Sequence, residues 1–257
     1  MYGRSGGYPG GGFGLMPPPE GVKWIMIANV AIWVLAYTFD SSFVPGFWER
    51  LMLDSREFRV WQPVTYMWLH GEGAFHVFGN MLMLYFLGST LERFWGTRRF
   101  VRFYLICGVG AGVFIAFMDQ VLPLIVSSPP HVTLGASGAV YGVAAAYCVL
   151  WPNQTVMLLF PPIPIRVVYL LPALFVMQLL GDTAGPNGES ISHAGHIGGV
   201  LMAFGYLHRE LSGAFEWLSI RRLRNRWRHR QMRSHLRAVR REEMERHRRA
   251  RDDRKLH

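Results

Sequence analysis

Charge is what this chain has least of. Asp, Glu, Lys and Arg make up 17 % of its 257 residues, against 51 % hydrophobic, where a soluble domain carries about 25 % charged residues. That shortage excludes an ordinary water-facing surface over most of the length. Cysteine is nearly absent. Cys107 and Cys148 both sit inside apolar runs, so they read as two small buried side chains rather than a disulfide or a metal pair. Missing too is the pattern of a secretory leader. The opening MYGRSGGYPGGGFGLMPPPEG has no basic stretch followed by an apolar run and a small-residue cleavage site, so the first apolar segment is expected to stay in the protein as a membrane span. The opening itself, residues 1–21, is Gly/Pro-rich and is expected to be disordered.

The charge that exists is unevenly placed. Residues 210–257 hold 16 of the 27 Lys and Arg and 7 of the 17 Asp and Glu, which leaves an almost neutral, apolar body in front of a basic tail. A helix needs about 20 mostly apolar residues to cross the hydrocarbon. Six segments approach this: roughly 22–40, 74–95, 99–118, 135–151, 166–181 and 193–209. The fold expected is an all-α membrane protein, a bundle of six transmembrane helices. The connections at 119–134 and 182–192 contain no Lys or Arg, whereas the turn at 93–102 holds Arg93, Arg98, Arg99 and Arg102. The positive-inside rule then puts that turn, the 152–166 loop and both termini in the cytoplasm. Arg50, Arg56 and Arg59 in the 41–73 connection oppose this orientation, but the tail outweighs them. Spans two, four and six would all start on the outer side, with their first turns at similar depth.

Those three starts carry the polar residues of the body. Span two opens AFHVFGN, with His76 and Asn80 four apart on one helix face. Span four opens with Ser137, and span six with His193 and His196. Taken singly, a membrane serine is usually a packing residue and a histidine at a helix start an interfacial one. Taken together at one depth, polar groups this costly in lipid point to function. Their chemistry is mutually useful. A serine hydroxyl needs a base to become a nucleophile, neutral imidazole is the common base, and a tetrahedral oxyanion needs donors already in place. Asn and His side chains supply such donors, as does a backbone N–H at a helix N-terminus, unpaired and at the positive end of the dipole. Gly138 and Gly142 on span four, with Gly195, Gly199 and Ala203 on span six, form small-residue stripes of the kind that let helices approach closely. A nucleophile elbow is excluded, because G-x-S-x-G fails at Ala139 and the flanks are membrane-like.

GASG at the start of span four, HVFGN in span two and GHIGG in span six resemble the rhomboid intramembrane serine proteases, over about residues 22–209. GSTLERFWG at 88–96 is also similar to that family's span-two ending. The resemblance implies a serine endopeptidase that cuts transmembrane segments with a dyad of Ser137 and His196, using no metal and no cofactor. It implies an oxyanion hole of His76, Asn80 and the Ser137 N–H, with Gly135 in the nucleophile motif, Tyr141 stacked on the catalytic histidine, and Gly199 at the close contact of spans four and six. It also implies a gate involving span five, which contains Pro172, and the loop GDTAGPNGES. His193 has no such role in the family, and H-I-G-G fits His196. There are two departures: Gln62 stands after Trp61 where rhomboids usually carry Arg, and Gly195 precedes the histidine where they usually carry Ala. Asp182 reads as a solvated loop residue rather than a third catalytic group.

The tail around 216–250 is expected to be a basic helix, with Ile220, Leu223 and Trp227 on one face, lying on anionic lipid headgroups. No base-reading motif accompanies its arginines, so nucleic acid is not an expected partner. The expected location is a bacterial inner membrane, and the expected partners are the bilayer and transmembrane protein substrates. The alternative is a catalytically silent rhomboid-like chaperone or substrate-binding protein; the presence of both Ser137 and His196 weighs against it. A small transporter is disfavoured, since no internal repeat or pair of broken helices is evident.

Overall fold

In a computed structural model of the chain, residues 16–39, 46–54, 56–71, 73–121, 132–157, 163–181 and 193–210 are described, with backbone alone at 177–181 and 210. Most of the Gly/Pro-rich opening, the loop 182–192 with Asp182, and the basic tail after residue 210 lie outside them. The chain divides into two units, Met1–Tyr206 and Leu207–His257. Of the second, the described residues form only the last turn of one helix; the fold and the site belong to the first.

Six long helices account for most of the described residues. They are α1 (Glu20–Thr38), α2 (Ala74–Trp95), α3 (Thr97–Val121), α4 (Ser137–Leu150), α5 (Leu170–Gly181) and α6 (His193–Glu210). Among the described residues, only α1, α2 and α3 are long and apolar enough to cross a membrane on those grounds, so the expected count of six is met there in helices and not in full-length spans. α4 has 14 residues and α5 has 12, about 21 and 18 Å at 1.5 Å per residue. In α2 the register widens to a π-helical turn at Leu84–Gly88. Pro172 falls in the first turn of α5, where a missing N–H breaks no bond; it therefore introduces no kink there.

α4 is the centre of the unit. Every residue from Gly138 to Tyr147 is buried, because the sequence GAVYGVAAAY is small enough to admit neighbours on all sides. α2, α3 and α5 pack around it, α3 most extensively. α6 closes the remaining side through its glycines: a Cβ on Gly142 would stand 3.1 Å from the Gly199 carbonyl oxygen, and one on Gly199 would run into the Gly138 carbonyl.

Two features far apart in sequence fix the periphery. The first is Glu92, 2 % exposed. Its carboxylate accepts from the backbone N–H of Gly21 (2.8 Å) and Val22 (2.7 Å), and from the Thr97 hydroxyl (2.6 Å). It thereby caps the first turn of α1, which lacks a cap of its own since Pro19 precedes it. This is why α1 begins at Glu20, two residues ahead of the expected start. Glu92→Ala is expected to lower stability by about 2–5 kcal/mol, the range for losing charge-assisted bonds to buried donors, visible as a lower melting temperature in detergent. Retention of the wild-type melting temperature would refute the cap.

The second is the connection between α1 and α2, which folds on itself. The Trp61 indole donates to the Arg50 carbonyl (3.1 Å) and the Thr65 hydroxyl to the Leu51 carbonyl (2.6 Å). Gln62, 1 % exposed, accepts from the Arg59 N–H at 3.0 Å. The Arg59 guanidinium lies over the Trp61 ring, 5.9 Å from its centroid. The arginine absent after Trp61 is thus met by one two residues before it. A short strand β1 (Leu53–Asp54) pairs antiparallel with β2 (Val132–Thr133), Leu53 opposite Thr133. Through that pair the connection reaches the segment that leads into α4. Beyond α4, β3 (Thr155–Met157) and β4 (Pro164–Arg166) form a separate hairpin.

Candidate active site

Ser137 is the first residue of α4 and half-buried. The chain enters it through Gly135, whose φ of 125° belongs to the region that side-chain-bearing residues rarely adopt. The Gly135 N–H donates to the Tyr66 carbonyl at 3.0 Å, and the Tyr66 hydroxyl donates to the Gly108 carbonyl on α3 at 2.8 Å. The serine loop is therefore held between β2 and a buried tyrosine of the α1–α2 connection. The open face of Gly135 is filled by a ring. A Cβ there would lie 3.0 Å from His76 Cε1, 3.1 Å from His76 Nε2 and 3.9 Å from Ser137 Oγ. Glycine at this position is what allows the imidazole edge and the serine hydroxyl to converge.

His196 is buried on the first turn of α6. Tyr141, one turn beyond Ser137 on α4, stacks flat on it, with ring centroids 3.9 Å apart and planes 6° from parallel. The same tyrosine meets Phe175 of α5 edge-on at 5.4 Å. Beside the stack the helix backbones nearly touch: a Cβ on Gly138 would stand 3.2 Å from the Gly195 carbonyl oxygen. The Gly195 that replaces the usual Ala lies at this contact. His193 opens α6 and is half-buried, three residues before His196.

Asn80 is buried one turn after His76 on α2. Its amide is 3.2 Å from His70 Nε2, and the His70 ring meets the His76 ring edge-on at 5.3 Å and 71°. His70 and Tyr66 are the two residues of this neighbourhood that motif reading passed over. Both lie in the α1–α2 connection, in the stretch TYMWLHG. The available signal was a histidine six residues ahead of His76 in an otherwise apolar run.

A Rhomboid domain matches residues 57–210. The chain belongs to the rhomboid family. Among relatives of this rhomboid, Rhomboid protease AarA of Providencia stuartii is 32 % identical over 203 residues, 69 % of this chain and 68 % of that protein. RHOMBOID-like protein 1 of Arabidopsis thaliana is 30 % identical over 159 residues, and the mitochondrial RHOMBOID-like protein 12 of the same plant 27 % over 216. The matches take in 61 % and 80 % of this chain but only 37 % and 60 % of those two proteins. Family membership makes this rhomboid a multi-pass helical membrane protein.

The side chains assembled here have the makings of acyl transfer: a hydroxyl at a helix N-terminus, imidazoles, and an amide donor. Gly135→Ala is a sharp probe of that assembly. The new methyl would press on the His76 ring in a disfavoured backbone conformation, so if these groups act together in acyl transfer the rate is expected to fall by at least about tenfold, the effect of shifting one donor partly out of line. Full activity with a folded Gly135→Ala protein would refute the requirement for this close approach.

Proposed function

We propose that this rhomboid is an intramembrane serine endopeptidase. Ser137 attacks the scissile carbonyl while His196 takes its proton and later returns it to the leaving amine. The oxyanion is received by the Ser137 N–H at the positive end of α4, the His76 imidazole and the Asn80 amide. The observation that carries the reading is the flat stack of Tyr141 on His196, one turn from Ser137 and beside the Gly138–Gly195 contact. It fixes the plane of the one buried histidine of α6 next to the serine helix.

The substrate is a transmembrane segment that enters from the bilayer and unwinds locally, so small and helix-destabilising residues are preferred around the cut. α4, α5 and α6 complete a six-span bundle, the short length of α4 tolerated because it is surrounded by protein rather than lipid. The orientation has the starts of α2, α4 and α6 on the outer side. The setting is a bacterial inner membrane, with the basic tail on anionic headgroups. Cleavage of a single-span substrate by purified wild type, Ser137→Ala, His196→Ala and His193→Ala tests the reading. Loss in the first two variants and retention in His193→Ala is expected. Loss in His193→Ala with retention in His196→Ala would reverse the choice of base. No cleavage by wild type across several substrates and lipids would favour a non-proteolytic chaperone.

A further inference from the structure

We propose that His70 is a positioning residue of the oxyanion site: it accepts one N–H of the Asn80 amide and so aims the other at the developing oxyanion. The inference rests on the proteolytic reading above and adds to it a residue with no place in the motifs.

The contact is a hydrogen bond between two buried groups, Asn80 Nδ2 and His70 Nε2, at 3.2 Å. An amide nitrogen only donates, so Nε2 must be the unprotonated, accepting nitrogen. The environment keeps the ring from carrying a second proton. Burial, then the neighbouring His76, push the His70 imidazole down to about 3, with the Trp68 backbone opposing in smaller measure. The ring therefore stays neutral at any ordinary pH.

This matters because the terminal torsion of asparagine is broad and roughly two-fold. Rotated by half a turn, Asn80 would present its carbonyl oxygen to the oxyanion, and a stabilising donor would become a repelling acceptor. His70 opposes that rotation, because in this tautomer the flipped state sets two acceptors face to face across a buried contact, and relieving it requires moving the ring proton from Nδ1 to Nε2. The same ring also meets His76 edge-on at 5.3 Å, so one residue from the α1–α2 connection touches both side-chain donors.

The test is a double-mutant cycle on the full-length protein, measuring kcat and KM for a single-span substrate. His70→Phe keeps a ring against His76 and removes the acceptor. It is expected to lower kcat about tenfold with KM unchanged, less than the roughly 100-fold expected of Asn80→Ala, which deletes the donor itself. His70→Phe with Asn80→Ala should be no slower than Asn80→Ala alone, since an absent amide needs no aiming; independent effects would multiply to about a thousandfold. His70→Gln, which restores an acceptor, should recover kcat to within about threefold of wild type.

Multiplying effects, a raised KM with kcat retained, or failure of His70→Gln to recover kcat would each overturn the proposal. If His70→Phe does not fold, His70→Ala takes its place in the cycle. If neither folds, His70 belongs to the scaffold and the proposal fails. Wild-type cleavage and its loss in Ser137→Ala, run alongside, separate the outcomes. If those controls fail, the proteolytic reading falls and carries this one with it. If they hold and the cycle is additive, only the role of His70 falls.

Discussion

Ser137→Ala is expected to reduce kcat for a single-span substrate by about four to six orders of magnitude while leaving the melting temperature where it was. The two halves of this result have different origins. Ser137 is half-buried at the first position of α4, and its N-cap neighbour Ala136 uses no side-chain bond. Removing one oxygen from a half-buried position at a helix start is a small change, so stability should change by less than about 1 kcal/mol. In the mechanism proposed above, the chemistry, by contrast, loses its nucleophile. What remains is an oxyanion site and a bound substrate, which sustain only a small residual rate over water. Covalent labelling by a serine-directed fluorophosphonate should vanish in the same variant. Labelling or cleavage that survives would place the nucleophile elsewhere and end the dyad assignment.

Gly199→Ala is expected to damage both the fold and the site. The added methyl would enter the space of the Gly138 carbonyl, which is backbone and unable to rotate aside. α4 and α6 must then separate, and the overpacking should cost about 3 kcal/mol. Activity is expected to fall further than stability, because the same displacement moves His196 away from the helix that carries Ser137. The control is Gly205→Ala, on the same helix, where a methyl meets nothing within 4 Å. There the change should be neutral or stabilising by up to about 1 kcal/mol, as alanine is the better helix former. Melting temperatures of the two variants, measured side by side in one detergent, decide it. Equal effects would mean that α6 responds to alanine in general and not to the close contact.

How much of the fold was legible beforehand differs from element to element. α2 was expected at the observed bounds, and α3, α4 and α6 to within three residues. Their boundaries follow from hydrophobic length and from local helix chemistry, both written in consecutive residues. Span number was less legible. α4 and α5 are too short to be counted as spans by length, and the protein packed around α4 is visible only in three dimensions. The place of Gly135 was legible as a motif, but the reason for it, the His76 ring against its open face, was visible only in three dimensions. His70 went unremarked because its partner, Asn80, is ten residues away on another element and no helical or strand period links them.

The sequence by itself determined the class of protein, the helices and the identity of the polar residues at their starts. It did so because helix periodicity, glycine stripes and charge asymmetry are local quantities, readable along a single stretch of chain. Tertiary structure decided which residues meet. It laid Tyr141 flat on His196, hung the serine loop from Tyr66, set Asn80 against His70 and brought Glu92 to the start of α1, some 70 positions earlier in the chain. Each of these is a contact between segments whose separation in sequence carries no information about their separation in space. Burial makes such contacts matter, since a polar group removed from water must find its partner wherever the fold has put one.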